Sequence, residues 1–255
     1  MSLTIAVAGK GGTGKTTLCA LVIRHLLARG RKPILAVDAD PNANLAEVLG
    51  LAVPATIGDI LDETLHQPEP LPGGMSKDAY IEYRLSAALA EGQDVDLLVM
   101  GRPEGPGCYC FANNVLRGHL ASKAQNYPLV VMDNEAGLEH LSRRTTNNVD
   151  FFFVTSDATV RGLRSAARVR ELIDELGLAV KRRYLVVTKA PAGQPLAGIL
   201  QEQVAATGLE LAGVIPYDPL VAEFDVQARP LVDLPAAAVS VQAAEELFAR
   251  VMAAV

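Results

Sequence analysis

Residues 9–17 read G-K-G-G-T-G-K-T-T, and no other stretch limits the possible folds as much. An apolar run, Leu3–Ala8, precedes it, and a helical pattern, Leu18–Arg29, follows. Glycines at 9, 11, 12 and 14 let the backbone turn through positive φ and bring successive N–H groups to one point. With the positive end of a helix behind them, those amides make a site for a polyanion. Strand, glycine-rich loop and helix, in that order, are the context a phosphate-binding loop requires. In such a loop Lys15 would reach the β- and γ-phosphates of a nucleotide. The Thr16 hydroxyl would ligate Mg²⁺, a hard cation that prefers oxygen.

The rest of the chain fits that start. Apolar strand-like runs recur at Pro33–Val37, Val95–Met100, Leu129–Met132, Phe151–Thr155, Tyr184–Thr188 and Leu209–Ile215. They are continuous rather than alternating, as strands covered on both faces should be. Helical patterns lie between or after them at Val160–Leu176, Ala197–Thr207 and Val239–Met252. The expectation is an α/β fold: a mostly parallel β-sheet with helices on both faces, in a single domain spanning 1–255. Ligands in such folds sit at the carboxyl ends of the strands. The phosphate loop, Asp38–Asn44, Gly101–Cys110 and Asp133–Gly137 all follow predicted strands and should meet on that rim. Pro54–Ser76, punctuated by Q-P-E-P-L-P-G-G, is expected to be an irregular excursion before the third strand.

Composition narrows the function. Half of the 255 residues are hydrophobic and 20% are charged, enough for a substantial core. The net charge of −6, with no run of five or six like charges, argues against a broad nucleic-acid-binding face. No apolar stretch reaches the length of a membrane span, and the N-terminal run has neither a basic leader nor a small-residue cleavage site. The amphipathic pattern at Glu245–Val255 lacks the basic face of a membrane-targeting helix. A cytoplasmic protein with no membrane and no nucleic-acid partner is expected.

Further residues carry chemistry. Val130–Asp133 is an apolar strand ending in aspartate, and Asp133 would hold Mg²⁺ through water. Asp38-Ala39-Asp40-Pro41-Asn42-Ala43-Asn44 closes the second strand, where Asp and Asn also commonly end strands and cap helices. Gly101–Cys110 reads G-R-P-E-G-P-G-C-Y-C. Cys108 and Cys110 cannot complete a tetrahedral sulfur site alone, but two copies across a twofold axis can. Thiolates favour Zn²⁺, Ni²⁺, Cu⁺ or iron–sulfur over Mg²⁺. Two buried small side chains or a redox pair remain the alternatives. Cys19 falls at a core-like position of the first helix.

Lys10, just after the first glycine, gives the loop two lysines, K-G-G-T-G-K-T. This resembles the deviant Walker A motif of the MinD/ParA/NifH group of dimerising ATPases. The resemblance implies that Lys10 crosses a homodimer interface to the partner's nucleotide. It implies that Gly9, Lys10, Gly11, Gly12, Thr13, Gly14, Lys15, Thr16 and Thr17 bind ATP or ADP. Asp40 would orient or deprotonate the attacking water, and Asp38 would lie near the Mg²⁺ shell. Asn44 stands where the group often has a second aspartate. Asn134-Glu135-Ala136-Gly137 resembles switch II, with the Gly137 N–H available to the γ-phosphate. Thr188 and Lys189, with Pro216, Tyr217 and Asp218, resemble the two segments that embrace the base; Thr188 stands where asparagine is common. No N-K-x-D guanine signature is present.

The phosphate loop, D-A-D-P, G-C-Y-C followed by Asn113-Asn114, and D-N-E-A-G-L-E-H-L together resemble the CooC/AcsF branch of that group, the CooC-type nickel-insertion ATPases. That resemblance spans nearly the whole chain. It implies an ATP-hydrolysing metallochaperone: ATP closes the dimer and four thiolates, Cys108 and Cys110 from each copy, hold Ni²⁺ or Zn²⁺. Hydrolysis then reopens the dimer for delivery to apo carbon monoxide dehydrogenase or acetyl-CoA synthase. A NifH-like iron–sulfur electron donor is the first rival; it needs two well-separated cysteines, one after switch II, and Leu138–Phe153 contains none. A MinD- or ParA-like positioning ATPase is the second, and it needs a basic tail or surface that this sequence does not display.

Overall fold

The computed structural model describes residues 2–66, 74–102, 126–135 and 149–253. Seven strands form one sheet: β1 (Leu3–Gly9), β2 (Ile34–Ala39), β3 (Val95–Val99), β4 (Leu129–Asn134), β5 (Val149–Asp157), β6 (Val180–Ala190) and β7 (Glu210–Pro216). Their order is β3-β2-β4-β1-β5-β6-β7, and every neighbouring pair is parallel. All seven expected strands are present, and the parallel α/β architecture is the one the apolar runs imply.

Alternate residues of each strand point to opposite faces. Ile5, Val7, Ala36, Val131 and Phe153 pack under one helical layer; Ala6, Ala8, Val37, Met132 and Phe152 pack under the other. The first layer holds α1 (Lys15–Ala28), the short α2 (Leu45–Leu49), α7 (Pro219–Val226) and α8 (Val239–Val251); the second holds α3 (Ile57–His66), α4 (Lys77–Ala87), α5 (Val160–Glu175) and α6 (Gly198–Ala206). Helix α5 shows how sequence dictates placement. Leu163, Ala166, Val169 and Ile173 recur at helical spacing and are buried, while the Thr159 hydroxyl accepts the Gly162 N–H and caps the start.

One expectation is corrected. The stretch Pro54–Ser76 is not irregular throughout, because α3 occupies Ile57–His66. Ile57, Ile60, Leu61 and Thr64 lie on its buried side. Thr56 and Asp59 cap it reciprocally: the Thr56 N–H donates to Asp59 Oδ2 at 2.9 Å and the Asp59 N–H to Thr56 Oγ1 at 3.1 Å. The turn formers at 67–74 follow a face of only three apolar residues, Ile57, Ile60 and Leu61, too short a pattern to stand out beside them.

The aromatic centre of the first layer is Phe153. It is fully buried, stacks on Phe151 and Tyr184, and meets the edge of Phe248 on α8. Replacing it by alanine removes ring contacts to Phe151 on β5, Tyr184 on β6 and Phe248 on α8, and leaves a cavity that the rigid sheet cannot close. Phe153→Ala is expected to lower unfolding free energy by about 3–5 kcal/mol, measured by urea denaturation.

Candidate functional site

The phosphate loop leaves β1 at the centre of the sheet's carboxyl rim. Gly9 has φ +155°, and a Cβ there would lie 2.3 Å from Thr155 Oγ1 and 2.5 Å from the Thr155 carbonyl oxygen. The loop therefore turns directly over β5, an approach only glycine permits. Thr13 Oγ1 donates to the Lys10 carbonyl at 2.7 Å and also lies 2.7 Å from Thr155 Oγ1. Gly14 is the N-cap of α1 with φ +78°, and no side chain caps the helix. The amides of its first turn are left for an incoming anion.

Oxygen-bearing side chains from α1 and β4 meet beside the loop. Thr16 Oγ1 donates to Asp133 Oδ2 at 2.6 Å, while Asp133 Oδ1 is buried with no hydrogen-bond partner. An orphaned carboxylate oxygen beside a hydroxyl is a donor set that fits a hard cation and its water shell. Asp38 stands opposite Asp133 in the β2–β4 register. Both its oxygens already accept backbone amides, Asp40 N at 3.0 Å and Leu45 N at 2.8 Å. It thus shapes the loop after β2 and starts α2, a role in which Asn44 makes no side-chain cap. Asp40 approaches Lys15, with Oδ2 3.8 Å from Nζ, and its Oδ1 receives the Asn42 amide and side chain.

Burial dominates the electrostatics here. It lifts the Asp38 carboxyl to about 7, helped by the nearby Asp133 charge. It lifts Asp133 to about 6, against the opposing Thr16 hydrogen bond and Lys15 charge. Cys19, fully buried beneath them as its sequence position suggests, is a thiol pushed up first by burial and then by the two aspartates. It sits 3.8 Å from the Met132 carbonyl and is a packed small side chain.

Beside the loop is a cavity of about 150 Å³ with an apolar floor of Leu18, Leu21, Ile215 and Val221. Pro216, Tyr217 and Asp218 line it with Thr188, Lys189 and Gly14, so the two expected segments do meet across one pocket. Tyr217 is half exposed at its mouth. The Asp218 carboxylate is committed elsewhere: it caps α7 through the Leu220 N–H at 3.0 Å and accepts the Ser240 N–H and hydroxyl at 3.0 and 2.7 Å. Burial works against its ionisation, yet those hydrogen bonds hold its pKa below the usual carboxylate value. A second cleft, about 420 Å³, runs over the outer face of the loop between Asp40, Asn42 and Glu47 on one side and Asp225 and Arg229 on the other.

Sequence reasoning did not single out Thr155, Glu47, Asp225 or Arg229. Thr155 could have been found as the last polar residue of a buried strand run; the others carry no local signal. Cys108, Cys110 and Gly137 lie outside the described residues, as do Asn113, Asn114 and His140. Lys10 is exposed at the loop's tip. Among the described residues no cluster of three or more His, Cys, Asp or Glu is placed to hold a metal ion, and no helix is long and apolar enough to cross a membrane.

A glycine nest at a helix start, a buried aspartate bonded to the loop's threonine, and an apolar pocket alongside define a phosphate-loop nucleotide hydrolase of parallel α/β type. The chain belongs to the family of the CobQ/CobB/MinD/ParA nucleotide-binding domain, whose profile matches residues 4–231. It is an ATPase of the MinD/ParA kind. An uncharacterised ATP-binding protein of Methanocaldococcus jannaschii is 45% identical over 91% of this chain and 92% of its own length. The carbon monoxide dehydrogenase accessory protein CooC of Rhodospirillum rubrum is 28% identical over 91% of this chain and 90% of its own. The crystal structure of the cell division ATPase MinD of Pyrococcus furiosus superposes with a TM-score of 0.72 at 23% identity, covering 100% of both chains, a likeness of fold.

Asp38 and Asp133 make stability depend on pH. Each holds its proton to a higher pH when folded than when unfolded, so the folded state binds more protons and loses stability as pH rises from about 4 to about 7. Thermal melts of the nucleotide- and metal-free protein should show that fall. It should shrink in Asp133→Asn, and Mg²⁺ with ADP should reverse it.

Proposed function

We propose that this ATPase is a metallochaperone that works as a homodimer, loading a soft or borderline cation, with Ni²⁺ favoured over Zn²⁺, onto Cys108 and Cys110 of two copies. Its client would be apo carbon monoxide dehydrogenase or acetyl-CoA synthase. The observation that carries this reading is the G-C-Y-C sequence in a chain similar over nine-tenths of its length to an accessory protein of carbon monoxide dehydrogenase. Four thiolates across a twofold axis satisfy a tetrahedral ion, whereas one copy supplies half of them.

In this scheme the loop amides of residues 9–17 and Lys15 grip the triphosphate. Thr16 and Asp133 hold Mg²⁺, which when bound neutralises charge on the phosphates. Asp38, beside Asp133 in the sheet and near the Mg²⁺ shell, fixes the loop carrying Asp40. Asp40, close to Lys15, orients the attacking water and takes its proton as the bond to the γ-phosphorus forms and the bond from that phosphorus to the bridging oxygen breaks, with ADP leaving. The Gly137 N–H meets the γ-phosphate, and Lys10 from the second copy reaches the developing charge. Thr188, Lys189, Pro216, Tyr217 and the Asp218 backbone enclose the nucleoside. The adjacency of β2 and β3 supports coupling of the two chemistries: the Met100 N–H donates to the Asp38 carbonyl at 2.8 Å, just before the segment that leads to the cysteines. A positioning role in the manner of MinD is the second reading, favoured by the fold likeness, by the shared family and by sequence similarity to a septum site-determining MinD.

A Cys108→Ser, Cys110→Ser double variant should keep ATP binding and lose Ni²⁺ and Zn²⁺ in metal analysis by mass. Unchanged metal stoichiometry would sink the assignment. Lys10→Ala should bind nucleotide as wild type does but hydrolyse it at least tenfold more slowly, the order expected for one lost contact to transition-state charge. ATP-dependent pelleting with liposomes, without metal binding, would favour the positioning reading instead.

A further inference from the structure

The strand that was expected to read the base does something different at its end. Thr188 is buried, and its hydroxyl donates to the Thr13 carbonyl at 2.8 Å, with the Ser156 carbonyl at 3.2 Å sharing the same proton. That leaves no proton for a base. The next residue, Lys189, has φ +54°, unusual for a side chain with a Cβ. Its exposed ammonium reaches back to the Gly12 carbonyl at 2.8 Å. Two consecutive residues of β6 thus hold two consecutive carbonyls of the phosphate loop.

The consequence follows from the planar trans peptide, in which C=O and the following N–H point opposite ways. Fixing the Gly12 carbonyl toward Lys189 turns the Thr13 N–H to the Lys10 carbonyl, which it meets at 3.2 Å, closing the loop's tight turn. Fixing the Thr13 carbonyl on Thr188 turns the Gly14 N–H away from β6 and toward the polar cleft that Gly11, Gly12, Lys15 and Thr16 line. Thr188 also backs Gly14 directly, since a Cβ on Gly14 would touch it at 3.8 Å. With Thr155 beneath Gly9 and Thr13, the loop is held from β5 and β6 together.

We propose that Thr188 and Lys189 are positioning residues of the phosphate loop, setting its amides for a polyphosphate before any base arrives, rather than readers of the base. Base discrimination then falls to the rest of the pocket, with Tyr217 at its mouth. This rests on nucleotide binding and is independent of the metal cargo and the client.

The test uses a ligand with no base. Mg²⁺–tripolyphosphate, Mg²⁺–ATP and Mg²⁺–GTP are titrated calorimetrically into the full chain and its variants. Wild type should hold tripolyphosphate. Thr188→Val and Lys189→Ala should each weaken all three ligands in parallel, by about tenfold, the loss of one hydrogen bond to a loop that must stay ordered. Thr188→Ser and Lys189→Arg, which keep the donor, should restore binding to within about twofold of wild type. Weakening of ATP and GTP with tripolyphosphate untouched would overturn the proposal, as would unchanged affinities throughout or a wild type that cannot hold tripolyphosphate. Lys189 is exposed, so Lys189→Ala keeps the test open if Thr188→Val does not fold. A failure here leaves metal stoichiometry at the cysteines untouched, so the two readings fall separately.

Discussion

A polyanion site made of backbone amides needs donors that nothing in the protein has already satisfied, and a loop that cannot relax to satisfy them. Here that is achieved by contact. Gly9 passes so close over Thr155 that no side chain fits between them. Gly14 begins α1 without a capping side chain. The apolar sheet below is covered on both faces and gives the loop a rigid floor. Other strands of the sheet then supply the rim: β4 brings Asp133, β2 brings Asp38 and leads into Asp40, and β6 brings the pocket wall.

The charges at the rim are held under tension that a ligand resolves. Asp38 and Asp133 face each other across paired strands in a buried setting, and their carboxyls titrate far above the ordinary range. Lys15 and Asp40 make only a long ion pair, at 3.8 Å. A bound divalent cation and triphosphate would supply the missing countercharge to both sets: Thr16 and Asp133 would hold the cation, and Lys15 would face the phosphates. Affinity in such a site comes from groups already placed, so little ordering is left to oppose binding.

Two families of contacts divide the labour around the nucleotide pocket. Asp218 and Ser240 are locked to each other and fix how α7 and α8 leave the sheet. Tyr217, Asp225 and Lys189 remain accessible at the pocket edge. A carboxylate that resembles a base contact by motif is thus a structural cap by geometry, in keeping with an aspartate placed just before Pro219 at the first helical position. The cation–π contact of Arg229 over Phe224, with 3.9 Å to the ring centroid, similarly keeps the far wall of the polar cleft in place.

The strands, the phosphate loop and Asp133 were legible in the chain because each is written locally: a continuous apolar run, glycines at fixed spacing, an acid at a strand's end. Helix α3 was not, since turn formers just beyond it masked its apolar spacing. The partners of Thr188 and Lys189, the Asp38–Asp133 pairing and the Thr155 support could come only from tertiary structure. Register between parallel strands joined by long crossovers is set by packing of the whole sheet, and no local pattern encodes which residue ends beside which. Local pattern was enough to place a phosphate loop on a parallel sheet; which side chains hold that loop open was settled by folding, because those contacts join residues up to 177 positions apart.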